Sequence, residues 1–294
     1  MITAAAQRGM NMIEFLTALI DPDLPFLRYA LFTGLFASIA FGIIGTFVVV
    51  RRISYIAGAI SHCMLGGIGG GLYLQNVVGI SWFTPVHGAI IVALLAAFIL
   101  AEVSLRAKER EDSIIGALWA GGMAIGLLFI ARTPGYFDPM SFLFGNILLI
   151  TKNDLFFVIA LDILIIVVVA VFYNKFLALC FDEEHARLRG VRTHWLYLLL
   201  LCLTALTIVL LVRIVGIILV IALLTLPAAI AGNFARSIGQ MMFVATMICA
   251  VFIVTGLGVS YSLDLPSGSV IICIATAVYL LSLCRFNKRR IRSS

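Results

Sequence analysis

His62 is the residue best equipped for chemistry: an imidazole inside an apolar run, with Gly58 and Gly66 one helical turn to either side. On a helix those glycines leave a bare strip beside the ring, with room for a ligand. Ionisable groups at membrane depth usually face a cavity or the bundle interior, and a neutral imidazole is a good ligand for zinc-, manganese- or iron-class cations. A histidine hydrogen-bonded to a neighbouring helix is the plainer alternative. Ser61 beside His62 suggests a nucleophile and its base, but adjacent residues diverge by about 100° on a helix, which argues against an intramembrane enzyme. Cys63, Cys180, Cys202, Cys249, Cys273 and Cys284 are scattered with no C-x-x-C pair, and they read as small packing residues rather than disulfide partners.

The second chemical feature is a polar island, FDEEHARLRGVR, from Phe181 to Arg192 between two long apolar runs. An acidic cluster comes first, then Ala186, basic residues and Gly190, and something on the water side must read this segment. Nowhere is there a G-x-x-x-x-G-K-[ST] loop or even a Gly-Lys dipeptide, so the chain cannot hydrolyse nucleotide by that mechanism. The GGIGGG run at Gly66–Gly71 superficially resembles a phosphate cradle. It lies within an apolar segment, however, where small residues four apart let helices touch.

The elements that position these residues are lipid-soluble helices. The chain is 63% hydrophobic and 12% charged, with a mean hydropathy of +1.17; a soluble domain carries about 25% charged residues. We read it as all-α, a polytopic transmembrane helical bundle forming one membrane domain. Crossing a ~30 Å hydrocarbon layer takes about 20 apolar residues. This predicts spans at Phe26–Val50, Ala57–Leu74, Pro85–Ala101, Ser113–Ala131, Leu155–Tyr173, Trp195–Val212, Ile214–Ala231, Met241–Ser260 and Gly268–Leu283. Only Arg213 divides the sixth from the seventh, so the count is eight to nine. Residues 1–25 form an interfacial segment, since Met12, Leu16, Leu19 and Ile20 share a helical face and no secretory cleavage site follows them. Residues 26–284 are the transmembrane domain, and residues 285–294 a basic tail. Phe142–Ile150 is too short to cross and suits a re-entrant or surface helix. Trp82, Phe83, Tyr136, Phe137 and Tyr261 fit an outer aromatic belt.

Charge sets the orientation. With the Arg51–Arg52 turn, the Glu102–Asp112, Asn174–Arg192 and Asn233–Gln240 loops and the tail inside, 15 of the 20 basic residues are cytoplasmic and 5 lie outside. The net charge of +6 is therefore a topology signal. It points to anionic membrane lipid as the tail's neighbour, and no nucleic acid is expected as a partner.

The stretches VVVRRISYIAGAISHCMLGGIGGG, ALWAGGMAIGLLF, SFLFGNIL, FDEEHARLRGV, VRIVGIILVIALLTLPAAIA and SYSLDLPSGSVI occur in an order that resembles the membrane permease subunit of the zinc/manganese/iron ABC importer family. The resemblance covers Phe26 to Leu283. It implies an importer permease fold in the bacterial cytoplasmic (inner) membrane, powered by a separate ATP-binding cassette ATPase. It also implies an extracytoplasmic metal-binding protein and a permease homodimer or paralogue heterodimer, with the metal ion as cargo and no bound cofactor.

By that resemblance, Asp182, Glu183, Ala186 and Gly190 belong to the segment that couples to the ATPase. His62 matches the family's metal gate, a carboxylate and an imidazole one turn apart, but Gly58 stands where the carboxylate would be. Asp264, in the LDLPSG turn, is then the first candidate for an oxygen ligand and Asp162 the second; a structural carboxylate is an equal reading of Asp162, and His87 reads as a solvated surface residue. Pro227 permits a kink that suits alternating access. The competing reading is a proton-coupled secondary transporter that uses Asp162 and His62 as a relay.

Overall fold

The computed structural model describes residues 25–106, 111–135, 143, 145 and 150–293. Each predicted span coincides with a helix: α1 (Pro25–Val50), α2 (Ser54–Tyr73), α3 (Pro85–Arg106), α4 (Glu111–Arg132), α5 (Lys152–Phe181), α7 (Thr193–Val215), α8 (Ile217–Ala231), α9 (Ile238–Leu263) and α10 (Ser267–Ser293). The polar island supplies the short α6 (Glu183–Leu188). Among the described residues, seven helices are long and apolar enough to cross a membrane. The other two spans depart from that standard for different reasons. The six glycines of α2 dilute its hydropathy, whereas α8 has only 15 residues, about 22 Å of helix.

The boundary between α7 and α8 is not at Arg213, which stays within α7. It falls at Gly216, whose φ of 82° and ψ of 162° end the helical ladder. That region is essentially reserved for glycine. Gly216→Ala is therefore expected to cost roughly 1–3 kcal/mol, seen as an earlier melting transition of the detergent-solubilised protein. Pro227 lies buried inside α8, which continues through it.

The interfacial segment expected before residue 25 lies outside the described residues, as do Tyr136, Phe137 and most of Phe142–Ile150. The basic tail is not a separate element, because the α10 backbone runs on through it to Ser293. Of the aromatic belt, Trp82 and Tyr261 are exposed.

Residues group into two compact units. One comprises residues 47–143 and 163–213, the other residues 1–46, 144–162 and 214–294, and α1, α5 and α7 contribute to both. In the first unit α2 packs against α3 and α4, and glycine makes this possible. A Cβ on Gly67 would strike the Gly88 carbonyl of α3; one on Gly66 would come within 2.9 Å of the Gly122 carbonyl of α4. The GGIGGG run is thus a helix-packing surface, as the sequence suggested. In the second unit α8, α9 and α10 pack on one another, and α1 meets α8 where Gly45 faces the Leu224 carbonyl.

Several buried hydroxyls bond within their own helices, although Thr33 Oγ1 is buried without a hydrogen-bond partner. Ser61 donates to the Ala57 carbonyl, Thr46 to Gly42, Thr204 to Leu200 and Thr207 to Leu203. Hydrocarbon offers these groups no water, so the backbone must serve.

Candidate functional site

Mid-membrane, His62 is half-buried on α2 and lies flat against Trp119 of α4, with ring centroids 4.2 Å apart and planes 16° from parallel. Its Nδ1 is buried without a hydrogen-bond partner. Among the described residues the ring makes no helix-bridging hydrogen bond through Nδ1, and a buried polar atom without a partner calls for one. Ser61, bonded to its own helix, forms no pair with it. The neighbouring cavity of about 440 Å³ is lined by Cys63, the α2 glycines and apolar residues of α3 and α4.

The two candidate oxygen donors belong to the other unit. Asp162, in α5, has both carboxylate oxygens buried without a hydrogen-bond partner of good geometry, although the Ala40 backbone is close enough to act on it. Asp264 is exposed and ends α9 in the left-handed conformation, φ 53°. Its amide bonds to the Ser260 carbonyl, and Ser260 Oγ donates to the Leu265 carbonyl. No group of three His, Cys, Asp or Glu side chains suited to hold a metal forms among the described residues. His87 is tied to the start of its own helix, its Nδ1 lying 2.7 Å from Thr84 Oγ1.

Before α6, α5 has 30 residues, about 45 Å of helix against a hydrocarbon layer of ~30 Å. α6 begins directly after it. Asp182 is the N-cap of α6, its carboxylate accepting from the His185 amide at 2.8 Å. Gly190, at φ 79°, turns the chain after α6.

Ala186 points into the protein and is 2% exposed, so it seats α6 on its own chain and does not face outward. Leu188 is 86% exposed and Phe181 74% exposed, one at each end of α6. They are the large apolar side chains that this segment exposes. Both lie within the polar island, Leu188 between two arginines and Phe181 at its start, and neither was singled out.

Sequence reasoning also gave Arg51 only the role of a topology charge. The chain turns after α1 through Arg52, which adopts the left-handed conformation at φ 59°. This leaves Arg51 reaching for α6: Nη2 donates to Glu183 Oε2 at 2.8 Å and Nη1 to the Leu179 carbonyl at 2.9 Å. The guanidinium lies over the Tyr197 ring, 5.3 Å from its centroid. Tyr197 in turn donates to Ser104 Oγ at 3.2 Å, and His194 lies 3.0 Å from Glu102. One guanidinium therefore joins the ends of α1, α5 and α7 to α6.

A model of the ABC 3 transport family matches residues 23–285. The chain belongs to this family. A "Probable metal transport system membrane protein" of Chlamydia trachomatis is 42% identical over 275 residues, 93% of this chain and 92% of the relative. A manganese import system permease protein of Streptococcus gordonii is 31% identical over 275 residues, 92% of this chain and 96% of that one. The solved structure of PsaBC from Streptococcus pneumoniae in complex with Fab matches with a TM-score of 0.80 and 31% identity, over 92% of this chain and 94% of that one.

As an ABC 3 transport protein, this is a multi-pass permease subunit of the bacterial inner membrane, not an enzyme. ATP hydrolysis belongs to a separate ATPase chain of the transporter complex. Family membership sets aside both the proton-coupled transporter and the intramembrane enzyme.

Proposed function

We propose that this permease carries a divalent transition-metal ion of the zinc, manganese or iron class into the cytoplasm, and that the ion passes His62 on the way. The observation that carries the reading is the buried, unbonded Nδ1 of His62 on a glycine-flanked helix face. An imidazole held there without a partner has lone-pair capacity to offer a passing cation. Asp162, whose buried carboxylate also lacks a good partner, and Asp264, at the end of α9, are the candidate oxygen donors of the other unit. The names of the relatives, manganese import and metal transport, support this cargo. The absence of a three-ligand cluster among the described residues suits cargo that must leave again better than a resident ion.

An extracytoplasmic metal-binding protein delivers the ion to the outer loops. A second permease, identical or paralogous, completes the membrane part. The ATPase engages α6, with Asp182 and Gly190 setting its two ends, Ala186 seating it and Glu183 tying it to Arg51.

His62→Ala is expected to lower metal uptake about tenfold, the lower end of what disturbing a metal's ligand environment costs. ATPase co-purification should be unchanged, because the residue lies within α2, remote in sequence from α6. Uptake equal to the parent's in cells accumulating zinc, manganese or iron would remove His62 from the route.

A further inference from the structure

The missing carboxylate at position 58 has left a space, and the structure fills it with an aromatic ring. A Cβ placed on Gly58 would come within 3.1 Å of Trp119 Cζ3 and 3.5 Å of Cη2. The same indole stacks on His62 one turn further along α2, and on its other side it meets Tyr55, with centroids 6.3 Å apart and planes tilted by 52°. The indole thus occupies the gap that Gly58 opens between Tyr55 and His62. Any side chain longer than a methyl at position 58 would have to displace it.

Resting on the proposed ion route, we infer that Trp119 is a specificity-determining residue: it excludes an oxygen ligand from position 58 and covers one face of the His62 imidazole. A passing cation then meets a nitrogen donor at the ring edge beside an aromatic wall. Carboxylate-rich sites suit manganese, whereas imidazole suits zinc and the later transition metals. The Gly58–Trp119 exchange therefore favours nitrogen-preferring ions over manganese.

The test compares zinc and manganese uptake by the complete importer, reconstituted with its ATPase and binding protein, for the parent, Gly58→Asp, Trp119→Ala, Trp119→Phe and Gly58→Asp/Trp119→Ala. Gly58→Asp alone is expected to depress uptake of both ions about tenfold, because carboxylate and indole compete for one space. The double variant should recover uptake and raise the manganese-to-zinc ratio about tenfold over the parent, the two changes being strongly non-additive as for residues in contact. Trp119→Phe, which keeps a ring on His62, should hold the parental ratio within about twofold.

The inference is overturned if Gly58→Asp transports like the parent with Trp119 in place, or if the double variant leaves the ratio unchanged. A double variant no better than Gly58→Asp alone also overturns it. ATPase co-purification of each variant separates these outcomes from misfolding. If the parent itself imports neither ion on ATP addition, the cargo reading fails instead, independently of Trp119.

Discussion

Arg51→Ala is expected to reduce ATP-driven uptake about thirtyfold while the ATPase stays attached. The substitution removes a charge-assisted hydrogen bond to Glu183, a bond to the Leu179 carbonyl and the contact with the Tyr197 ring. Hydrogen bonds to charged groups contribute roughly 1.5–3 kcal/mol. The Arg51 and Glu183 side chains are 19% and 33% exposed, so solvent screening moves the sum toward the low end, roughly 2 kcal/mol, or about thirtyfold in an equilibrium. The equilibrium at stake is whether α6 moves together with the ends of α1 and α7 or swings alone.

ATP hydrolysis and uptake measured on the same reconstituted importer distinguish these cases. Hydrolysis that continues while uptake falls is the expected signature of a broken lever. Equal loss of both, or uptake at the parental rate, would show that Arg51 is not the link. Arg51→Lys should fall between, because an ammonium keeps the charge but cannot donate along the two directions that a planar guanidinium serves.

Arg51 also shows where sequence reading stops. The helices were legible because lipid demands uninterrupted apolar length: each expected span falls on a described helix, although α5 runs eight residues and α10 ten residues past the expected ends, and seven of the described helices are long and apolar enough to cross. The α7–α8 break was misplaced because a charge caught attention at Arg213, while the break itself depends on a backbone conformation at Gly216 that composition does not reveal.

The same distinction runs through the site. His62 stood out as an ionisable group in an apolar run, but Trp119 did not, because a tryptophan in a span carries no signal until the helix packed against it is known. Asp182 was assigned to coupling, yet its carboxylate caps α6; its place in the motif was readable and its physical task was not. That Ala186 faces inward was not readable either, because one turn of helix has an inner and an outer face, and only the packing of α6 decides which is which.

That facing makes Leu188, rather than Ala186, the residue whose loss should detach the ATPase. Leu188 is 86% exposed at the end of a polar helix, so its own chain does not cover it. Burying a leucine in a partner's groove contributes roughly 1.5–3 kcal/mol. Leu188→Ala is then expected to weaken ATPase binding about tenfold to a hundredfold. Leu188→Glu should weaken it further, since a carboxylate placed in an apolar groove must be desolvated.

Titration of the purified ATPase onto permease in detergent reads this directly. Leu188 makes no contact that holds the permease together, so the melting transition of the permease alone should not move. Ala186→Leu should behave in the opposite way, overpacking α6 against its own chain at a cost of roughly 1–3 kcal/mol and lowering the melting transition of the permease before any partner is added. If instead Ala186→Leu leaves that transition untouched and Leu188→Ala binds ATPase as the parent does, the coupling helix docks through its other face.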